Sequence, residues 1–180
     1  MSFSLFLIIA LFTIQVLIIV TYITYYRKWV SLMNGMVISM SVGMTAGILM
    51  GTILGVFLQG SLFVSTLYGI LIGVTTGLLA GIPVGLPAVI DGMLSGLMGG
   101  MMGAILGDML AMTSPDAIIK IVALIVTMVL LLVLYMTEEL IRKQSSQATL
   151  FVLKHPYLLL FILTILFIGL EFSGVVIKGK

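Results

Sequence analysis

Residues 43–55 read GMTAGILMGTILG, residues 69–81 read GILIGVTTGLLAG, and residues 92–107 read GMLSGLMGGMMGAILG. Glycine recurs at Gly43, Gly47, Gly51 and Gly55 in the first stretch. It recurs at Gly69, Gly73, Gly77 and Gly81 in the second, with Gly85 continuing the series. The third carries Gly92, Gly96, Gly100, Gly103 and Gly107, with Gly99 added. A step of four residues is close to one α-helical turn, so each series runs along one slowly drifting helix face. Glycine costs roughly 1 kcal/mol per interior helical position relative to alanine in water, so its repeated placement on a face needs a compensating gain. In lipid the gain is close backbone approach, which replaces the hydrophobic drive that lipid removes. The three stretches are therefore expected to be three consecutive membrane helices packed as a glycine zipper. The packing partner is either the same chain or a second copy, and a moving or pore-forming element is the competing use of the same ridge. The segments 40–60 and 65–85 also read as weak tandem copies.

The rest of the chain agrees with lipid as the solvent. It has 180 residues, of which 62% are hydrophobic and 8% charged, with a mean hydropathy of +1.38. A soluble domain carries about 25% charged residues, and a chain this short cannot hide so much apolar surface inside itself. Backbone groups in lipid must pair internally, which leaves helices or a closed barrel. The apolar runs lack the alternating polarity of barrel strands. The expected fold is an all-α, polytopic transmembrane bundle forming a single integral membrane domain over residues 1–180. Its six spans fall at about 3–26, 32–58, 63–85, 87–112, 116–136 and 157–177, with a cytoplasmic polar loop over 138–155.

Orientation follows the lysines and arginines. Arg27 and Lys28 follow the first span, beside Trp29; Arg142, Lys143 and Lys154 follow the fifth. Four spans separate the two clusters, so both lie on one side, expected to be the cytoplasm of a plasma (inner) membrane, with both termini outside. Lys178 and Lys180 sit against that rule. A re-entrant hairpin in place of spans three and four would leave the parity unchanged.

No cysteine is present, which removes disulfides, thiolate metal sites and thiol redox chemistry. A net charge of +2 on so few charged residues is no nucleic-acid signal. No nucleophile elbow, zinc-protease helix or phosphate loop occurs, so neither an enzyme nor a cofactor is expected. The partners expected are the lipid bilayer and either further copies of the chain or another membrane protein.

Ionisable groups inside spans are costly and are the first places to look for function. Asp91 lies about one turn into the fourth span, where the helix dipole favours an acid. Asp108 lies near the other end of that span, where the dipole opposes it. Asp116 and Lys120 are spaced i,i+4 at the start of the fifth span, the order that favours an ion pair. Glu171 falls in the outer part of the sixth span. Asp108, Asp116, Lys120 and Glu171 are all expected near the outer surface, where together they could hold a cation or a proton. His155, beside Lys154, reads as a solvated anchor. Gln15 is a lone mid-membrane amide, for which an interhelical hydrogen bond is the simplest expectation.

Fourteen methionines are many for this length. Met98, Met102 and Met109 line up on the fourth span beside Asp91, and Met33, Met36, Met40 and Met44 cluster on the second. Thioethers suit soft metals such as cuprous copper or silver, but methionine is also a flexible gap filler beside small residues. Three functions follow. The first is a homo-oligomeric cation or proton transporter or channel using the outer acids. The second is a non-catalytic membrane subunit or assembly factor docking through its glycine faces. The third, lesser one is copper or silver handling by the methionines.

Overall fold

The computed structural model describes residues 3–27, 30–110 and 115–144. Five helices follow in chain order: α1 (Phe3–Tyr25), α2 (Leu32–Phe57), α3 (Leu62–Gly81), α4 (Leu86–Leu110) and α5 (Pro115–Gln144). All five are long and apolar enough to cross a membrane. The shortest, α3, has 20 residues, about 30 Å at 1.5 Å per residue, which matches the hydrocarbon thickness of a bilayer. The sixth segment, 157–177, lies outside the described residues, as do Lys154, His155 and Glu171.

Hydroxyl-bearing residues show how these sequences tolerate lipid. Thr13, Thr24, Ser41 and Thr75 each turn the hydroxyl back onto a carbonyl three or four residues earlier in their own helix. Thr52, Thr127 and Thr137, which are buried, do the same. A side chain satisfied within its own helix needs nothing from lipid or from a neighbour.

The helices end where backbone geometry requires it. Ser31 caps α2 by accepting from Asn34 N at 3.4 Å. After α2 the chain turns at Gly60, whose φ of +87° favours glycine. α3 stops at Gly81, short of Gly85, because Gly81 lies directly against the backbone of Ala88 and Val89 at the start of α4. The chain must therefore reverse at once. It does so through Ile82–Gly85, with Val84 N and Gly85 N both donating to Gly81 O.

α2, α3 and α4 meet backbone to backbone. Gly43 faces Gly92 and Gly96, Gly47 faces Gly96 and Gly100, Gly51 faces Gly100 and Ala104, and Gly55 faces Ala104, Gly107 and Asp108. Both sets of numbers rise together, so α2 and α4 run parallel. From the other side, Gly99, Gly103 and Gly107 face the carbonyls of Met44, Ile48 and Thr52. α3 lies across the pair in the opposite sense. Gly69, Gly73 and Gly77 face Gly100, Gly96 and Gly92 in turn, and Gly51, Gly47 and Gly43 of α2 follow the same falling order. One hydrogen bond crosses this packing, from Ser39 Oγ on α2 to the carbonyl of Ala88 on α4. Ser39→Ala should cost about 1 kcal/mol, the scale of an interhelical bond in a membrane protein. Denaturation of the purified protein in mixed micelles would read it.

α2 is the central helix, buried around nearly its whole circumference. α5 packs on α2, and α1 packs on α5. The large apolar side chains gather there rather than among the glycines: Leu5, Ile19 and Ile23 of α1, Ile38 and Leu49 of α2, and Ile119 and Leu130 of α5 are all fully buried. The bundle thus has two kinds of interior, a glycine-lined contact of α2, α3 and α4, and a side-chain-filled layer of α1, α2 and α5.

Candidate functional site

The acids expected on α4 are held at its two ends. Asp91 and Asp108 are separated by 17 residues, about 25 Å along one helix, so they form no common site within a chain. Asp91 is half-buried near the start of α4, and its backbone carbonyl accepts from Ser95 Oγ at 2.8 Å. Asp108, also half-buried, sits where the turn after α2 meets the end of α4. Its Oδ1 accepts from Gly60 N at 3.4 Å, a long contact that nevertheless faces the carboxylate toward a backbone N–H. The left-handed turn at Gly60 is what presents that N–H. Lys120, half-buried on the first turns of α5, is a partnered residue. Asp116 lies on the same helix one turn earlier, and its side chain lies outside the described residues. Glu171 lies outside them altogether. Among the described residues, no three histidines or acids come together in a metal-ligating group.

Met98, Met102 and Met109 are 60%, 61% and 72% exposed. With Ile90, Leu94, Leu97 and Met101 they make the outward face of α4, opposite its glycines. Met33 and Met40 are likewise exposed on α2. Among the described residues these methionines line no interior passage, which leaves the soft-metal reading without an enclosed ligand set there.

Two polar side chains on α1 and α5 are more deeply buried than Asp91 or Asp108. Gln15 is 8% exposed at the middle of α1, and its Oε1 has no hydrogen-bond partner. The interhelical bond expected for it is therefore not made by its oxygen among the described residues. Glu138 is also 8% exposed. The sequence places it in a polar surface segment, because Glu138, Glu139, Arg142, Lys143 and Gln144 together read as soluble. Instead α5 continues through them to Gln144, so Glu138 stays on the helix side that faces inward. The signal that finds it is register: Glu138 follows Thr127 by 11 residues and Lys120 by 18, three and five whole turns. Tyr22 lies at the corresponding end of α1, which packs on α5. Around Tyr22 the aromatic rings are packed together, Tyr22 and Tyr26 at 5.0 Å between centroids and Tyr25 and Tyr26 edge-on at 4.8 Å. This is the girdle that tyrosines form at the edge of an apolar layer.

Glu138 and Tyr22 thus mark one end of the α1–α5 seam, and Asp108 and Lys120 lie toward the opposite end of the bundle. The chain matches no family model, no curated protein and no solved structure.

Proposed function

We infer that the protein is a small integral membrane transporter or channel that moves a cation or a proton, working as a homo-oligomer. Six spans, glycine-zipper packing of the second to fourth, and an outer acidic group drawn from Asp108, Asp116 and Glu171 with Lys120 complete the reading. The observation that carries it is the retention of carboxylates within a bundle whose buried threonines, Thr45, Thr52, Thr127 and Thr137, bond their hydroxyls back onto their own helices. Burying a carboxylate is costly in any low-dielectric setting, and Glu138 is kept at 8% exposure. Asp108 is kept near a helix C-terminus, where the dipole disfavours an acid. Five or six helices are few for an alternating-access carrier, which is commonly built from two repeats of several spans each; a second copy of the chain would supply the missing half.

The alternative, a docking subunit, draws less support. The glycines it would present to a partner are occupied within the chain, each ridge facing another helix of the same bundle.

Purified protein in liposomes tests the reading. Wild type should conduct protons or alkali cations, and Asp108→Asn and Glu171→Gln should each lower the flux roughly tenfold or more, since each removes a charge that a positive ion would meet in a dehydrated site. Absence of flux of protons, alkali cations and cuprous copper in wild type would overturn the transport reading and favour docking.

A further inference from the structure

The buried polar side chains of the described residues divide by location. Ser39, Thr45, Thr52, Ser65 and Ser95 lie in α2, α3 and α4, and each hydroxyl is bonded to a backbone carbonyl. The others, Gln15, Thr127, Thr137 and Glu138, lie on α1 and α5. Three of these four lie along one seam.

On α5, Lys120, Thr127 and Glu138 fall within about 20° of one another around the helix axis. On α1, Gln15 and Tyr22 are seven residues apart and share a line in the same way. α1 packs on α5, and Gln15 of α1 and Thr127 and Glu138 of α5 are buried, so the polar lines of the two helices lie on their inward sides. α1 is antiparallel to α2 and α5 is antiparallel to α4, because only short links join them. Since α2 and α4 are parallel, α1 and α5 run in the same direction. Counting from the Tyr22–Glu138 level, Gln15 lies about 10 Å into the bundle and Thr127 about 16 Å, with Lys120 beyond. The polar groups are thus staggered along a single seam, roughly two turns or fewer from one level to the next.

The seam contains an unanswered acceptor. Gln15 is buried and its Oε1 has no partner among the described residues. An amide oxygen left so in an apolar setting costs on the order of 1–3 kcal/mol. Thr127 donates its hydroxyl proton to Ala123 O at 2.7 Å, which leaves the oxygen's own lone pairs free to accept. Two acceptors about a turn apart along the bundle suit a molecule that donates in two directions and is small enough for a helix seam. Water is that molecule.

We propose that water enters the α1–α5 seam from the Tyr22–Glu138 end and reaches Gln15 and Thr127, so that this seam, and not the glycine-lined contact, is the hydrated part of the permeation route. Assigning the water to permeation rests on the transport reading above; its presence does not. Glu138 stands at the mouth, where it draws cations and protons toward the seam. Gln15 is the inner acceptor.

The cysteine-free sequence makes the test direct. Single variants Gln15→Cys and Thr127→Cys are reconstituted into liposomes and exposed on each side to 2-aminoethyl methanethiosulfonate. Ile14→Cys and Leu17→Cys serve as references, because both side chains are exposed on the outward face of α1. Only a thiolate reacts, and a thiolate forms only where water reaches it, so Gln15→Cys and Thr127→Cys should react roughly tenfold or more faster than the references. They should do so from the side on which Tyr22 and Glu138 lie. Protection of both, equal to that of Ile14→Cys, overturns the proposal. Thr127→Cys is nearly isosteric, so its result stands even where Gln15→Cys fails to fold. Reactive cysteines with no ion flux in wild type would sink the transport reading and leave the hydrated seam standing; flux with both cysteines protected would do the reverse.

Discussion

Gly47→Ala is expected to destabilise the bundle by about 3 kcal/mol, and Gly47→Val to prevent α2 and α4 from pairing. A Cβ at Gly47 would lie 2.5 Å from Gly100 N, 2.7 Å from Gly96 O and 2.8 Å from the carbonyl carbon of Gly99. All three are backbone atoms of a continuous helix, so none can rotate aside as a side-chain terminus would. Relief requires the helices to separate. Separation also opens the contacts one turn away on either side, Gly43 against Gly92 and Gly51 against Gly100. Dispersion between close-packed atoms falls steeply over a gap of 0.5–1 Å, forfeiting about a quarter to a half of each contact. In the other direction, alanine gains roughly 1 kcal/mol over glycine as a helix former, and the clash must exceed that before any loss is seen. Gly60→Ala separates the two effects. Nothing lies within 4 Å of a Cβ there, but φ is +87°, so only the left-handed backbone penalty of about 1–2 kcal/mol applies. Detergent-titrated unfolding followed by circular dichroism measures both. If Gly47→Ala is no more harmful than Gly60→Ala, α2 and α4 are not in backbone contact.

The same glycines show how far the sequence can be read. A step of four residues places Gly43, Gly47, Gly51 and Gly55 on one face whatever lies opposite. It carries no information on which helix is opposite or in which direction that helix runs. The parallel match of α2 with α4, with α3 reversed across both, arises from which ridge fits which groove once three ridges are present. The methionines illustrate the same gap. Met98, Met102 and Met109 are on one line by count alone, but whether that line faces inward depends on which side the glycines of α4 take, and they take the inward one. Numbering alone places Asp91 and Asp108 at the two ends of one helix, and that needed no tertiary information. The contact of Asp108 with Gly60 did, since it joins residues 48 positions apart.

Glu138 was obscured for a different reason. A run of charged residues after an apolar segment is the ordinary mark of a helix leaving the membrane, and local composition outweighs register in such a reading. A helix does not change phase where composition changes. Continuing α5 without a break keeps Glu138 on the stripe already occupied by Lys120 and Thr127, while its neighbour Glu139 rotates about 100° away. Gln15 stands out in the sequence as a polar residue in an apolar span, but its bonding does not, because the supply of donors in a helix seam depends on neighbours far away in the chain.

That missing donor leads to the second large effect. Gln15→Leu is expected to lower ion flux roughly tenfold or more while leaving the fold intact, and to raise stability by about 1 kcal/mol. Leucine has nearly the volume of glutamine without its polar end, so it leaves no cavity, and it removes a buried oxygen with no partner among the described residues. A polar group kept where an apolar one would be more stable signals a use for the polarity, and opposite signs for stability and activity are the mark of such a residue. A structural role predicts otherwise. If Gln15 held α1 against α5 by a hydrogen bond, Gln15→Leu would lose stability, and flux would fall only in proportion to the folded protein remaining. Gln15→Asn discriminates further. It keeps the carboxamide but withdraws it by one methylene, leaving room for an extra water, so it should retain a substantial share of the flux that Gln15→Leu loses. Parallel measurement of flux and of detergent-induced unfolding in the three proteins separates the cases: equal loss of flux in Gln15→Asn and Gln15→Leu, or a loss of stability in Gln15→Leu, would remove Gln15 from the route.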